Sequence, residues 1–160
     1  MSLSGKLTLV GSEFINKRGI YAGRRSTKLH VAVYRRTGGR MGGSLPGWPQ
    51  PRIALLDHTG AKTATKRTSP LMYHEHDDAI VVAGTKGGQR THPAWFHNLM
   101  ANPDTTLQIG SEMRDVRARL AVDQERDELW QKMVTVFPGY DFYRRNADGR
   151  EIPIVILDPR

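Results

Sequence analysis

The chain has 160 residues and a mass of 18.0 kDa, which suffices for one domain with a hydrophobic core and argues against two domains. It contains no cysteine, so disulfides, thiolate metal sites and a cysteine nucleophile are excluded, and we expect a cytoplasmic protein. No run approaches the ~20 apolar residues that a membrane-spanning helix requires.

The net charge of +8 is confined to the first third of the sequence. Residues 1–50 contain nine Lys and Arg against a single Glu, whereas residues 51–160 contain fifteen basic and fifteen acidic residues. This asymmetry predicts a basic N-terminal arm over residues 1–25. For residues 1–36 we favour weak contact with an anionic membrane surface over nucleic-acid binding, and solubilising charge is the simpler alternative. No protein partner is indicated.

The first half of the chain predicts a short basic helix followed by strands. Residues 26–36 carry apolar side chains at helical spacing with Ser26 as the N-cap, and the Gly- and Pro-rich run 38–51 predicts a loop. The predicted strands are 52–56, 68–74 and 79–85, with turns over 57–60 and 74–78.

The second half predicts two longer helices, a short helical segment and further strands. The first helix begins with Thr91 near the cap and ends at Asn102, and the second begins with Asp123 as the cap and ends at Pro138. The remaining predicted elements are strands around 107–109 and over 115–120 and 152–157, and a helical turn over 140–145.

The order of these elements constrains the fold class. About six short strands joined mostly by turns, with helices inserted late, do not form the regular alternation of a doubly wound α/β fold. We therefore predict a mostly β fold over residues 26–160, a small antiparallel barrel with helices packed on its outside.

Two common kinds of catalytic site find little support. The spacing of His74 and His76 within an acidic run differs from the H-E-x-x-H pattern that places two imidazoles on one helical face, so we predict a charged turn and no metal. No serine lies in a G-x-S-x-G turn, and acyl transfer therefore lacks a visible nucleophile.

A group of basic residues indicates an anion site. Antiparallel pairing of successive strands would bring to one rim Lys62, Lys66, Arg67, Lys86 and Arg90. The alternative is scattered solubilising charge. The setting favours a site for a flat ligand with an acidic tail, because Pro70 interrupts one strand and residues 85–88 end the next in a glycine-containing loop.

The chain contains an ordered series of short motifs: TGGRMGG at 37–43, TGAKT at 59–63, RTSPLMY at 67–73, TKGG at 85–88, HPAWFHNL at 92–99, ANP at 101–103, FPGY at 137–140 and IPIV at 152–155. This series resembles the deazaflavin-dependent nitroreductase family of actinobacteria, whose members are coenzyme F420-dependent reductases. The resemblance covers about residues 26–159 and implies a split β-barrel of the flavin reductase and pyridoxamine-phosphate-oxidase type.

The resemblance implies that the cofactor is coenzyme F420, an 8-hydroxy-5-deazaflavin with a phospholactyl-oligoglutamate tail. The family's basic tail contacts correspond here to Lys62, Arg67 and Lys86. Its contacts to the deazaflavin correspond to Ser69, Pro70, Leu71, Met72, Ala83, Thr85, Trp95 and Asn98. Hydride would pass from the cofactor to a planar, electron-poor, hydrophobic acceptor, so no protein nucleophile is required.

Four residues are expected on the acceptor side. Tyr140 and Tyr143 would supply hydrogen bonds, and Met72 and Phe137 would form apolar walls, although Phe137 also continues the apolar stripe of its helix and is equally explained as core. The expected catalytic residues are Tyr140 and Thr85.

Three departures from the family pattern bear on the acceptor. Ala61 stands where many relatives carry Arg, Met72 where nitroimidazole-reducing members carry Tyr, and Phe137 in place of another Tyr. Quinones and conjugated enones or lactones are therefore expected ahead of nitroaromatic compounds. The alternatives are an FMN-dependent oxidoreductase of the same barrel type, or a non-catalytic ligand-binding module with a lipid- or RNA-binding arm.

Overall fold

A computed structural model describes residues 24–45 and 48–160, so most of the predicted basic arm, 1–25, lies outside the described residues. The helices are α1 (Arg24–Thr37), α2 (Ala94–Ala101), α3 (Asp123–Val136) and α4 (Gly139–Asn146), with a 3-10 turn at Lys86–Gly88. The strands are β1 (Ser44–Leu45), β2 (Trp48–Thr59), β3 (Lys66–His76), β4 (Ala79–Ala83), β5 (Asp104–Ile109), β6 (Glu112–Leu120) and β7 (Ile154–Pro159). None of the described helices is long and apolar enough to cross a membrane.

The strands form an antiparallel barrel. Their order is β1-β2-β3-β4-β7-β6-β5, and β2 pairs a second time with β5 through Leu55 opposite Gln108 and Leu56 opposite Leu107. This second pairing closes six strands into a ring, with the two-residue β1 left at an edge. The predicted small antiparallel barrel with external helices is confirmed.

Side chains alternate along the strands and therefore supply two hydrophobic cores on opposite faces of the sheet. The barrel core lies inside and is capped by Trp95 and Leu99 of α2; its other members include Leu56, Tyr73, Val82, Leu107 and Val155. The helix-covered core lies outside β4 and β7, beneath α3 and α4; its members include Val81, Trp130, Met133, Tyr140, Ile154 and Ile156. Any strand that borders both cores presents its odd and even residues to different environments.

Strand β2 is longer at both ends than the sequence indicates. It begins at Trp48, inside the predicted loop 38–51, and its prolines are tolerated because β1 pairs with this end over only two residues and leaves backbone groups without ladder partners. It also continues to Thr59, so His58 is a strand residue and the predicted turn over 57–60 is wrong.

The ends of β3 and β4 also differ from prediction. Strand β3 runs to His76, which reduces the predicted acidic turn to Asp77 and Asp78. Asp77 adopts a positive φ of 53°, a conformation that Asp tolerates better than most residues. Strand β4 ends at Ala83, so Thr85 belongs to the following loop.

Two predicted helix caps are wrong, and a third lies close to the observed one. Pro93 is the N-cap residue of α2, two residues after Thr91. Asp123 is the first residue of α3 and forms no side-chain cap bond, although its charge favours the positive end of the helix dipole. Ser26 lies inside α1, because the helix already begins at Arg24.

Candidate functional site

A groove with a volume of about 1080 Å³ lies between α1, the start of α2 and neighbouring ends of β2, β3 and β5. Three of the residues predicted to bind the cofactor line it: Arg67, Ser69 and Trp95. Arg67 and Ser69 lie on one face of β3, and Trp95 projects from the first turn of α2. The structure therefore brings together a cation, a hydroxyl and an aromatic ring from distant parts of the chain.

The charge of this groove is predominantly positive. Its two carboxylates already have partners, since Asp57 lies 3.0 Å from Arg35 and Asp104 lies 2.8 Å from Arg117. Within residues 24–45 and 48–160, no ion pair joins a carboxylate to the remaining basic groove residues, Lys28, Lys66 and Arg67. Uncompensated cations in a concave site attract an anionic group.

Asp57 fixes the helical wall of the groove. Its carboxylate accepts hydrogen bonds from Arg35 of α1 at 3.0 Å, from Thr106 of β5 at 3.1 Å and from the hydroxyl of Thr68 of β3. The partly buried carboxylate of Asp57 on β2 therefore connects α1, β3 and β5, and it holds α1 across the ends of these strands. The sequence had placed Asp57 in a turn and assigned it no role.

A chain of hydrogen bonds runs to Ser69 from the turn after β2. The backbone N–H of Ala61 donates to Asn98 Oδ1 at 3.0 Å, Asn98 Nδ2 lies 2.8 Å from His58 Nδ1, and His58 Nε2 lies 3.0 Å from Ser69 Oγ. His58 and Asn98 are only 6% and 8% exposed. Burial, and secondarily the charge of Arg67, lower the pKa of His58, so the ring is neutral at pH 7. Asn98 therefore acts in the barrel interior, one step removed from the groove.

Lys86 and Thr85 lie in a loop that is held by Arg150. The guanidinium donates to the carbonyl oxygens of Thr85 at 2.8 Å, Gln89 at 2.8 Å and Gly84 at 3.1 Å, and it lies 3.1 Å from His92 Nδ1. Lys86 Nζ donates to the hydroxyl of Thr91 at 2.6 Å, close to the start of α2. This loop borders the helix that carries Trp95.

The five basic residues expected at one rim are only partly brought together. Lys66 and Arg67 line the groove, and Lys62 sits in the turn between Thr59 and Thr65, which also line it. Arg90 instead pairs with Asp148 at 2.9 Å, in the turn directly after α4. Lys86 instead donates to the hydroxyl of Thr91, near the start of α2.

The residues expected on the acceptor side form an aromatic cluster in the helix-covered core. Tyr140 is 1% exposed, and its ring packs edge-on against Phe137 and Tyr143 at centroid distances of 5.6 and 6.4 Å. Burial raises the pKa of Tyr140 above its usual range. Its hydroxyl lies 3.1 Å from His74 Nε2. Tyr143 is only half buried and, unlike Phe137 and Tyr140, keeps an accessible side.

The predicted residues of β3 and β4 divide between the two cores. Leu71 packs against the barrel core, whereas Met72 and Ala83 pack against the helix-covered core beside Tyr140. Pro70 pairs opposite Leu55 of β2. Because neighbouring strand residues point to opposite faces, Ser69 and Met72 lie on different sides of the sheet, and the structure does not gather all of the predicted site residues into one pocket.

Sequence reasoning missed three residues that organise these sites. His58 was placed in a turn, yet it continues the alternation of Ala54 and Leu56 toward the barrel interior, which is the signal that could have found it. His74 was expected at the end of a strand and in a charged turn, with a metal site rejected and no contact to Tyr140 foreseen. Arg150 had no local signal, because its partners are about sixty residues away in sequence.

The sequence model of the F420H(2)-dependent quinone reductase family matches residues 26–159. The chain belongs to this family. The predicted relationship to F420-dependent split-barrel reductases is thereby confirmed, and the matched range contains the groove, the Arg150-held loop and the aromatic cluster. An F420H(2)-dependent quinone reductase of Mycobacterium tuberculosis H37Rv is 37% identical over 142 residues, which are 88% of this chain and 94% of that protein.

Solved structures agree with the membership in the F420H(2)-dependent quinone reductase family. An F420-H2 dependent reductase is similar with 36% identity and a TM-score of 0.61, covering 68% of this chain and 95% of that chain. A protein described as a domain-swapped dimer is similar with 31% identity and a TM-score of 0.62, covering 82% and 95%. The predicted split β-barrel fold is confirmed.

Proposed function

We propose that the protein transfers a hydride from reduced coenzyme F420 to a quinone. The observation that carries this proposal is the family match over residues 26–159, which contains a groove whose Lys66 and Arg67 have no carboxylate partner among the described residues. When bound, the reduced deazaflavin supplies the hydride, and the chain supplies position and polarity.

The groove residues suit the chemistry of a deazaflavin with an anionic tail. In this proposal Lys62, Lys66 and Arg67 hold the acidic tail by charge, while Trp95 and the hydroxyl of Ser69 contact the ring. The wider cofactor set proposed is that of the sequence comparison: Lys62, Arg67, Ser69, Pro70, Leu71, Met72, Ala83, Thr85, Lys86, Trp95 and Asn98. Asn98 contributes through His58, because its amide is occupied by His58 and by a backbone N–H.

For the acceptor side we assign separate roles to the aromatic residues. In this proposal the half-buried Tyr143, with Met72 and the hydroxyl of Thr85, contacts a flat acceptor, and Tyr140 and Phe137, which are buried, position Tyr143 by ring packing. A phenol or hydroxyl that donates to the quinone oxygen stabilises the charge that develops there. Residues 26–160 form the cofactor-binding domain in this assignment, and residues 1–25 form a basic arm.

The proposal is tested by titrating the full chain with oxidised coenzyme F420 and, in parallel, with FMN, following the fluorescence of each. We expect selective binding of the deazaflavin and quinone-dependent oxidation of reduced F420, measured by the return of F420 absorbance. Binding of FMN alone would assign the protein to a flavin-dependent branch of the same fold. Binding of neither would leave a non-catalytic module as the better description.

We also propose that the cytoplasmic protein reaches lipid-soluble quinones by weak contact with anionic membranes through residues 1–36. In the described part of this range, α1 exposes Arg25, Lys28 and Arg36, and Leu29 is 66% exposed among them. Basic residues with interspersed apolar ones bind anionic lipid surfaces. Co-sedimentation with vesicles should require anionic lipid and should weaken as salt increases; retention by neutral vesicles alone would contradict the proposal.

A further inference from the structure

The hydrogen bonds around His58 fix the position of one proton. Because the backbone N–H of Ala61 donates to Asn98 Oδ1, the amide of Asn98 is oriented with its Nδ2 toward His58. Nδ2 is a donor only, so His58 Nδ1 must accept and therefore carries no proton. In a neutral imidazole the proton then lies on Nε2, and His58 Nε2 donates to Ser69 Oγ.

The same reasoning gives a direction to the hydroxyl of Ser69. A serine hydroxyl has one proton and two lone pairs, and one lone pair is used by His58 Nε2. Its own proton cannot point at a ring nitrogen that already carries a proton. Ser69 lines the groove, so the hydroxyl is available there as a hydrogen-bond donor.

We propose that His58 is a positioning residue for the cofactor. The hydrogen bonds from Ala61 to Asn98 and from Asn98 to His58 orient the His58 ring, and His58 in turn fixes Ser69 as a donor to an acceptor atom of the bound deazaflavin. This inference rests on the proposed function for the identity of the ligand. The deazaflavin carries ring carbonyl oxygens and nitrogens that accept hydrogen bonds, so a donor of fixed direction matches its chemistry. A hydroxyl free to rotate would lose part of its binding contribution to ordering.

Burial explains why this series of hydrogen bonds keeps one arrangement. His58 and Asn98 are both polar and both buried, and each has hydrogen-bond partners. Buried networks in which every member is satisfied resist rearrangement, since any alternative leaves a donor or acceptor without a partner. The lowered pKa of His58 is consistent with a neutral ring in this place.

The first test uses the protein without ligand. Long-range ¹H–¹⁵N NMR of the full chain, labelled at histidine, should show His58 as the neutral tautomer with the proton on Nε2 at pH 7. A proton on Nδ1 would overturn the proposal, because Ser69 would then donate to His58 rather than to a ligand. This measurement does not depend on whether the protein binds F420.

The second test separates a positioning role from a structural one. His58→Phe should weaken F420 binding by about threefold to tenfold, the range expected for one hydrogen bond, whereas His58→Gln, which retains an acceptor and a donor, should restore much of the affinity. In a Ser69→Ala background the His58→Phe change should have no further effect. Additive losses in the double variant, or equal affinity of His58→Phe and wild type, would overturn the proposal. Failure of wild type to bind F420 would instead count against the proposed function.

Discussion

The Nε2 atom of His74 lies 3.1 Å from the hydroxyl of Tyr140, and the two rings are 5.5 Å apart. This contact connects β3 to α4 at the centre of the aromatic cluster. Burial lowers the pKa of His74 to about 4 and raises that of Tyr140, so both groups are neutral over the physiological range. The hydroxyl of Tyr140 is thus engaged inside the protein, which is why we assign it a positioning role.

The lowered pKa of His74 predicts a loss of stability in mild acid. Unfolded histidine has a pKa near 6.5, so between pH 6.5 and 4 the unfolded chain binds a proton that the folded chain excludes. The contribution of His74 should therefore be constant above pH 6.5, fall as the pH decreases and level off below 4. The shift from 6.5 to about 4 sets an upper limit of about 3 kcal/mol on this contribution. The actual contribution should be smaller, because the ring is only half buried and solvent screens its charge.

The measurement is urea unfolding of wild type and His74→Gln from pH 4 to 8. His58 also has a lowered pKa, so wild type alone would not isolate the effect, but the difference between the two proteins does. We expect that difference to change with pH only below about 6.5. A parallel pH dependence in the two proteins would contradict the role assigned to His74.

The unpaired charge of the groove predicts a salt-dependent contribution to cofactor binding. Arg67→Ala should weaken F420 affinity by about tenfold at low ionic strength and by less at high salt, because exposed charges are screened. Lys132→Ala is the matched control, since Lys132 is exposed on α3 and does not line the groove. With a deazaflavin that lacks the anionic tail, Arg67→Ala should have little effect. An equal loss for both ligands would place Arg67 elsewhere than at the tail.

The sequence was sufficient for the barrel and for part of the groove. Alternating and helical patterns are local properties, and they predicted the six strands β2 to β7 and the helix that carries Trp95, but not the two-residue β1. Motif resemblance predicted Arg67 and Ser69, which do line the groove. Strand ends were less well predicted, because the end of β2 at Thr59 depends on its pairing with β3, where Thr59 lies opposite Lys66, as well as on the local alternation that reaches His58.

The organising contacts could not be predicted because they join residues far apart in the chain. His58 and Asn98 are separated by forty positions, and Arg150 and Gly84 by sixty-six. The first contact depends on how α2 packs against the closed barrel. The second depends on the segment between α4 and β7 lying beside the loop that follows β4. The location of Phe137 was also ambiguous, since the same helical stripe fits a core and a pocket wall; the side chain is buried in the helix-covered core.

The contact between the 3-10 turn and α4 predicts a strong effect of Gly88→Ala. Gly88 has a φ of +79°, and an added Cβ would lie 2.9 Å from the carbonyl oxygen of Tyr143 and 2.9 Å from Asn146 Cβ. Gly149 has the same φ, but no atom lies within 4 Å of an added Cβ. Gly149→Ala should therefore cost only backbone strain, about 1–2 kcal/mol, whereas Gly88→Ala should cost about 1–3 kcal/mol more from the clash.

Urea unfolding of the two variants isolates the contribution of packing. Because the clash involves the backbone of Tyr143, Gly88→Ala should also weaken quinone turnover, while Gly149→Ala should leave it close to wild type. Equal destabilisation by the two substitutions would mean that the turn does not press against α4 as the structure describes.

The clamp formed by Arg150 predicts that a conservative substitution will loosen the loop that carries Thr85 and Lys86. A planar guanidinium contacts Gly84, Thr85 and Gln89 together, whereas a lysine ammonium at the same position has one nitrogen and cannot reach all three carbonyl oxygens.

Arg150→Lys should therefore increase backbone amide hydrogen exchange over residues 84–89 and destabilise the protein by about 1–3 kcal/mol, as two or more hydrogen bonds are lost. Arg145→Lys, at an exposed position near the end of α4, is the matched control and should alter neither quantity. Since exchange is measured without cofactor, the result does not depend on F420 binding. Unchanged exchange in Arg150→Lys would mean that the loop is held by its own turn hydrogen bonds, among them Gly88 N–H to the Thr85 carbonyl at 2.9 Å, rather than by the arginine.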